Sequence, residues 1–205
     1  MNVEKTIREG LKHFHIDYDE TRLKSLLFYM DELAKWNKKV NLIGIQDMER
    51  AVRELLYDAF FLRGYVSQDH SILDLGSGAG ILAIPLSILL GHVDVFSVDK
   101  SLRKIQFQRH IKRMLHLNRF TPLHGRAEEI APIGVDSLVV KAFGSNEEIL
   151  EKGVGHIKFK GRALIVKGKK ERPVEREGFL LDDTVPYEIP VISKSYKLLI
   201  YKKVS

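Results

Sequence analysis

The chain has 205 residues, 44% of them hydrophobic, with 33 basic against 27 acidic side chains for a net charge of +6. That composition describes a folded chain, and the length favours one domain over residues 1–205 rather than two small cores. The complete lack of cysteine excludes disulfides, thiol nucleophiles and thiolate metal sites, and it suits a reducing compartment. No apolar run approaches the ~18–20 residues of a membrane-spanning helix. Met1–Lys5 lacks the basic-then-apolar layout of a signal peptide, so a cytoplasmic protein is expected. The positive balance permits a polyanionic partner but does not by itself require one.

In chain order, residues 1–70 read as a helical extension. A short helix is expected over Val3–Phe14 and a longer one over Asp19–Lys38, where Leu23, Leu26, Leu27, Met30, Leu33 and Ala34 form one stripe. Asp19 or Thr21 is placed to cap its start, and a third helix is expected over Met48–Arg63. Amphipathic stripes of this kind cover a sheet. From Ser71 the texture changes to short apolar runs alternating with helical patterns. Strands are expected at Ile72–Leu75, Val93–Val98, Phe120–His124, Ser137–Lys141 and Ala163–Lys167. Helices are expected at Ile81–Leu90 and Ser101–Leu117, with helix-compatible stretches between the later strands. Such alternation means a parallel sheet with helices on both faces over residues 71–205. Beyond Lys167 the pattern breaks, and three of the six prolines precede Tyr196–Tyr201, an antiparallel finish to the sheet.

The chemistry concentrates at Leu73-Asp74-Leu75-Gly76-Ser77-Gly78-Ala79-Gly80, between the first strand of the sheet and the helix after it. Glycines at such a turn bring backbone N–H groups and a helix start close to a ligand. Gly78 to Ala83 also fits the dinucleotide pattern G-x-G-x-x-A, so a nicotinamide enzyme stands as an alternative. Asp99 closes the second strand about 20 residues beyond the loop, where an acid accepts hydrogen bonds from ribose in either ligand class. Asp74 tilts the choice. An acid just before the glycines suits the positive methionine end of S-adenosylmethionine and is unwelcome beside a pyrophosphate. Glu128, just after the third strand, can face an adenine or stand as an exposed carboxylate at a helix start.

Several segments together resemble one family. Trp36-Asn37-Lys38 with Asn41-Leu42, Leu73–Gly80 running on through Ile84-Pro85-Leu86, Asp99, Phe107, Arg109, Gly125-Arg126-Ala127-Glu128-Glu129, Ala142-Phe143 and Lys167-Gly168 are similar to the RsmG/GidB family, ribosomal RNA small subunit methyltransferase G. The resemblance implies a Rossmann-like class I methyltransferase, α/β, with a mostly parallel seven-stranded sheet. It implies S-adenosyl-L-methionine as cofactor and methylation of N7 of a guanine in the 530 loop of 16S rRNA. Carried over position by position, it puts Gly76, Ile81, Ala127, Glu128 and Lys141 at the cofactor, beside Asp74, Ser77, Gly78, Gly80 and Asp99 from the loop and strand ends.

The chain departs from the family where an Arg-His pair and then Asp-Ser usually stand before the first strand of the sheet. Those positions read Glu54-Leu55 and Asp58-Ala59. The Ser-Arg-Ala-Phe motif reads Val140-Lys141-Ala142-Phe143, and lysine lacks the planar fork of arginine. Guanine N7 carries a free lone pair and needs no general base, which agrees with the lack of a base constellation here. Phe143 is expected to stack near the target base or cofactor, and Lys141 to hold the base or neutralise phosphate. Arg126, Lys141, Lys167, Lys169 and Lys170 are the expected RNA contacts. The eight histidines show no metal-ligand spacing, so no metal is expected; nor is a membrane partner, and a monomer is. A small-molecule methyltransferase and a cofactor-binding RNA-associated protein with a shifted target remain the other readings.

Overall fold

The computed structural model describes residues 2–190 and 194–205. Positions 191–193 of the C-terminal stretch therefore lie outside the described residues. Seven strands form one sheet in the order β3-β2-β1-β4-β5-β7-β6. They are β1 (Ser71–Leu75), β2 (Asp94–Asp99), β3 (Phe120–His124), β4 (Val135–Lys141), β5 (Ile157–Gly168), β6 (Phe179–Ile189) and β7 (Lys194–Lys203). β1 to β5 pair in parallel, whereas β7 runs antiparallel to both β5 and β6. The carboxyl ends of β1, β2 and β4 meet where the strand order reverses, the usual place for a ligand crevice in such sheets.

Strand parity decides what each face meets, because successive side chains point to opposite sides. Ile72, Val95, Val139, Leu164, Val166, Leu198 and Ile200 join one buried cluster. Leu73, Leu75, Val98, Leu138, Val140, Ile165 and Leu199 join the other. The first face is covered by α1 (Val3–His13), α2 (Glu20–Val40), α4 (Tyr57–Val66), α5 (Ala83–Leu89) and α6 (Leu102–Met114). The second is covered by α7 (Asn146–Gly153) and neighbouring loops. The N-terminal helices thus share a continuous core with the sheet. No helix among the described residues is long and apolar enough to cross a membrane.

Local signals account for the helix ends. Asp19 caps α2 by accepting a hydrogen bond from Arg22 N at 2.7 Å, and Asn41 ends it in the left-handed region at φ 48°, which asparagine tolerates. The helix expected over Met48–Arg63 forms as α3 (Met48–Ala51), a π turn over Val52–Leu56, and α4. Two expectations are corrected. Between β3 and β4 there is no α-helix, only a 3-10 turn at Ala127–Glu129; Pro132 and Gly134 interrupt a connection too short to form one. β5 begins at Ile157, earlier than expected, because its pairing with β4 jumps from Val135↔Ile157 to Ser137↔Arg162 and residues 158–161 bulge out.

Candidate functional site

The chain leaving β1 turns through Gly76, Gly78 and Gly80 at φ values of 71°, 57° and 75°, where an L side chain is strained. Gly76 has a second reason to be glycine: a Cβ there would lie 2.4 Å from the Phe143 ring. The loop is held from below. Gly76 N and Ser77 N donate to the Val98 carbonyl at 2.9 and 3.1 Å, and Gly78 N donates to Asp99 Oδ2 at 2.8 Å. Asp74 is buried, and its Oδ2 accepts the N–H of Ala83, the first residue of α5, at 3.0 Å. Burial pushes the Asp74 carboxyl up to about 7, and the Asp99 charge acts in the same direction against the Ala83 hydrogen bond.

Two cavities flank this loop. The larger, about 470 Å³, is lined by Asp99, Lys100, Ala127, Glu128, Phe143 and Lys152 among others. The smaller, about 200 Å³, lies under Leu42 and Ile43 and is lined by Asp74, Ser77, Ile81 and Lys141. Gly76, Lys104 and Ala142 belong to both, so the cavities are two halves of one cleft.

The structure brings Asp74, Gly76, Ser77, Gly78, Ile81, Asp99, Ala127, Glu128, Lys141 and Phe143 to this cleft. Gly80 is a correction. It lines neither cavity, and a Cβ on it would lie 2.6 Å from Ile84 and 3.2 Å from Gln108, so it serves packing of the loop on its helix. Glu128 is tied to Lys152 at 3.2 Å, and Lys152 also meets Glu148 at 2.7 Å. The Lys152 ammonium lies 5.5 Å from the Phe143 ring centre. Phe143 is half-buried and forms a wall of the larger cavity, neither plain core nor free surface.

Lys141, expected at both cofactor and RNA, lines the smaller cavity but spends its charge inside the protein. It shares β4 parity with Val139, so it points toward the N-terminal helices. There its ammonium bonds the Asp58 carboxylate and the carbonyl of Glu54 in the π turn. Asp58 is fully buried and accepts a second hydrogen bond from the Tyr187 hydroxyl at 2.6 Å. The Tyr196 ring lies 5.9 Å from the same ammonium, and Glu54 pairs with Lys194 and Arg50, each at 2.6 Å. Burial raises the Asp58 carboxyl, while Lys141 and Tyr187 pull it down. Of the other expected RNA contacts, Arg126 lines the larger cavity, Lys167 bonds the carbonyl of the cavity-lining Gly144 at 2.7 Å, and Lys169 and Lys170 are exposed and line neither cavity.

Sequence reading missed several supports. Gln108 is buried and donates to Ser77 Oγ at 2.9 Å and to the Gly78 carbonyl at 2.7 Å, while accepting from Ser97 Oγ at 2.6 Å. Its signal was a polar residue inside the apolar stripe Ile105, Gln108, Ile111. Asn37 binds both Ile43 N and the Ile45 carbonyl, at 2.8 and 3.2 Å, and so positions the segment that roofs the smaller cavity. Lys100, Lys104 and Lys152 were legible only as surface charge.

A seven-stranded sheet with one reversed strand, and a glycine-turn cleft with an acid before it and another ending the next strand, define the Rossmann-like methyltransferase class. The model of the GidB family, rRNA small subunit methyltransferase G, matches residues 22–195. Ribosomal RNA small subunit methyltransferase G of Geotalea uraniireducens is 32% identical over 98% of this chain and 97% of its own length. The protein of that name from Legionella pneumophila (strain Corby) is 30% identical over 82% of this chain and 79% of its own. The chain belongs to this family. The fold is also that of a SAM dependent methyltransferase from Aquifex aeolicus, with TM-score 0.59, 18% identity, and coverage of 75% of this chain and 93% of that one. M. jannaschii TYW2 in complex with AdoMet aligns with TM-score 0.55 and 18% identity over 69% of this chain and 73% of that one.

Proposed function

We propose that the chain, acting as one domain, uses S-adenosylmethionine to methylate N7 of a guanine in the 530 loop of 16S rRNA. The observation that carries this reading is the cleft, in a chain of this family. It is split into an adenosine-sized half ending at Asp99 and a smaller half ending at Asp74, joined over Gly76. The residues fit that cofactor. Asp99 stands at the carboxyl end of β2 for ribose hydroxyls, Ala127 and Glu128 stand where an adenine edge would lie, and the Asp74 carboxyl suits a cationic methionine end. A pyrophosphate in the smaller half would meet that carboxyl at an electrostatic cost, which weighs against a nicotinamide cofactor.

When bound, S-adenosylmethionine supplies a methyl group on a positively charged sulfur. Guanine N7 would accept that methyl group through its free lone pair, with the sulfonium as a neutral thioether leaving group. No proton moves, so the chain has only to bind, align and exclude water. Phe143, packed against Gly76 in the wall of the larger half, is placed to stack on the entering base. Arg126 at the larger half, with Lys167 and the exposed Lys169 and Lys170, supplies charge for RNA phosphates, and Lys141 lies at the methionine side of the cleft. Purified protein with labelled cofactor should transfer methyl groups to 16S rRNA or small-subunit particles from a deletion strain, mapping to the 530 loop. Transfer to proteins or metabolites with none to RNA would overturn the reading.

A further inference from the structure

Among the described residues five cations line the two halves of the cleft, and three of them are paired with acids. Lys152 is held by Glu128 and Glu148, and Lys141 by Asp58. Arg126 lies 3.8 Å from Glu129. Lys100 is exposed and borders the larger half alone. Lys104 lacks the acidic partner of those three and, unlike Lys100, reaches both halves. It is half-buried in the first turn of α6, it lines both halves, and it forms no ion pair among the described residues. Its ammonium lies 3.9 Å from where a Cβ on Gly78 would be; with none there, the space above the loop is open to it.

Resting on the cofactor assignment above, we propose that Lys104 binds the carboxylate of the cofactor's methionine moiety. The amino-acid end of that cofactor carries one negative and one positive group. Asp74, buried in the smaller half, is suited to the positive group and would repel a carboxylate. A carboxylate placed there therefore needs a cation whose charge is not already matched, and Lys104 is the one that reaches the smaller half. Lysine suits the task because its flexible four-carbon stem lies along apolar surface while the ammonium donates up to three hydrogen bonds. Lys104 would then tie the start of α6 to the glycine loop once the cleft is filled.

Two probes separate this role from a general one. S-adenosylhomocysteine carries the amino-acid end; 5′-methylthioadenosine carries the adenosine and sulfur without it. Titration calorimetry on the full chain should show Lys104→Met weakening S-adenosylhomocysteine about 10- to 100-fold, the range for losing a hydrogen bond to a charged group. Binding of 5′-methylthioadenosine should be unchanged, and Lys104→Arg should restore most of the loss. Equal weakening of both probes would mark a structural role and overturn the proposal. Unchanged S-adenosylhomocysteine binding with a raised KM for RNA would overturn it in favour of a phosphate contact. If the wild-type chain bound neither probe, the cofactor reading itself would fall.

Discussion

The glycine loop and the Lys141 pocket stand on the same face of the sheet, yet they are built by opposite means. The loop is local: Asp74, the three glycines and Asp99 lie within about five residues of a strand end, and its shape is fixed by Gly76 N and Ser77 N donating to the Val98 carbonyl and Ala83 N donating to Asp74. The Lys141 pocket is assembled from a π turn, a strand end and two C-terminal strands, joining residues 83 and 129 positions apart. A short-range device keeps its meaning when read from sequence. A long-range one does not, because a side chain's partner depends on which elements the fold brings over it.

The sharpest way to break this contrast is at Asp58. Asp58→Ala would leave the Lys141 ammonium without its buried counter-charge, and urea unfolding should show a loss of about 3–5 kcal/mol. The Asp58→Ala/Lys141→Met double variant should lose less than the sum of the two single changes, because the pair acts as a unit. Additive losses would show that the ion pair is not a coupled device.

Next is Gly76→Ala, which adds left-handed backbone strain to a collision with the Phe143 ring. It should cost about 1–3 kcal/mol in stability and raise the Kd for S-adenosylhomocysteine. Gly80→Ala should cost similar stability with little change in Kd, since Gly80 faces Ile84 rather than the cleft.

A smaller effect is the pH dependence of the cofactor half. The Asp74 carboxyl sits at about 7 in the folded chain, above its ordinary value of 3.8. Stability from its neutral form is therefore full below pH ~4 and is lost as pH rises from there to ~7. The ammonium of the ligand's amino-acid end favours the ionised form, so affinity for S-adenosylhomocysteine should rise with pH through 7 and then level off. Calorimetry across pH 6 to 8.5 checks this, and Asp74→Asn should flatten the profile. Smallest of all is the exposed basic pair: Lys169→Ala and Lys170→Ala should leave cofactor binding and Tm unchanged, and each should reduce the salt slope of RNA binding by about 1.

The loop was legible because its signals are a pattern of neighbours. Asp19 as a cap, β3 at Phe120–His124 and Asp99 at the end of β2 were legible for the same reason: each depends on local backbone geometry or period. The bare turn from Ala127 to Glu129 was less legible, since a charged stretch between strands reads equally well as helix. Lys141 was read as a cofactor and RNA contact, and its motif position carried no record of Asp58. Strand parity with Val139 would have turned it toward the helices, but nothing in the chain order said that Asp58 and Tyr187 would converge there.

By itself, the sequence determined the alternation of strands and helices, the glycine turn with its two acids, and the family to which the chain belongs. Each is encoded in short-range pattern, where the backbone's own periodicity does the selecting. Only the tertiary structure decided which charges are spent and which are left. Glu54, Asp58 and Lys141 became a buried network and Lys104 stayed unpaired among the described residues, because charge pairing depends on distances between elements far apart in the chain.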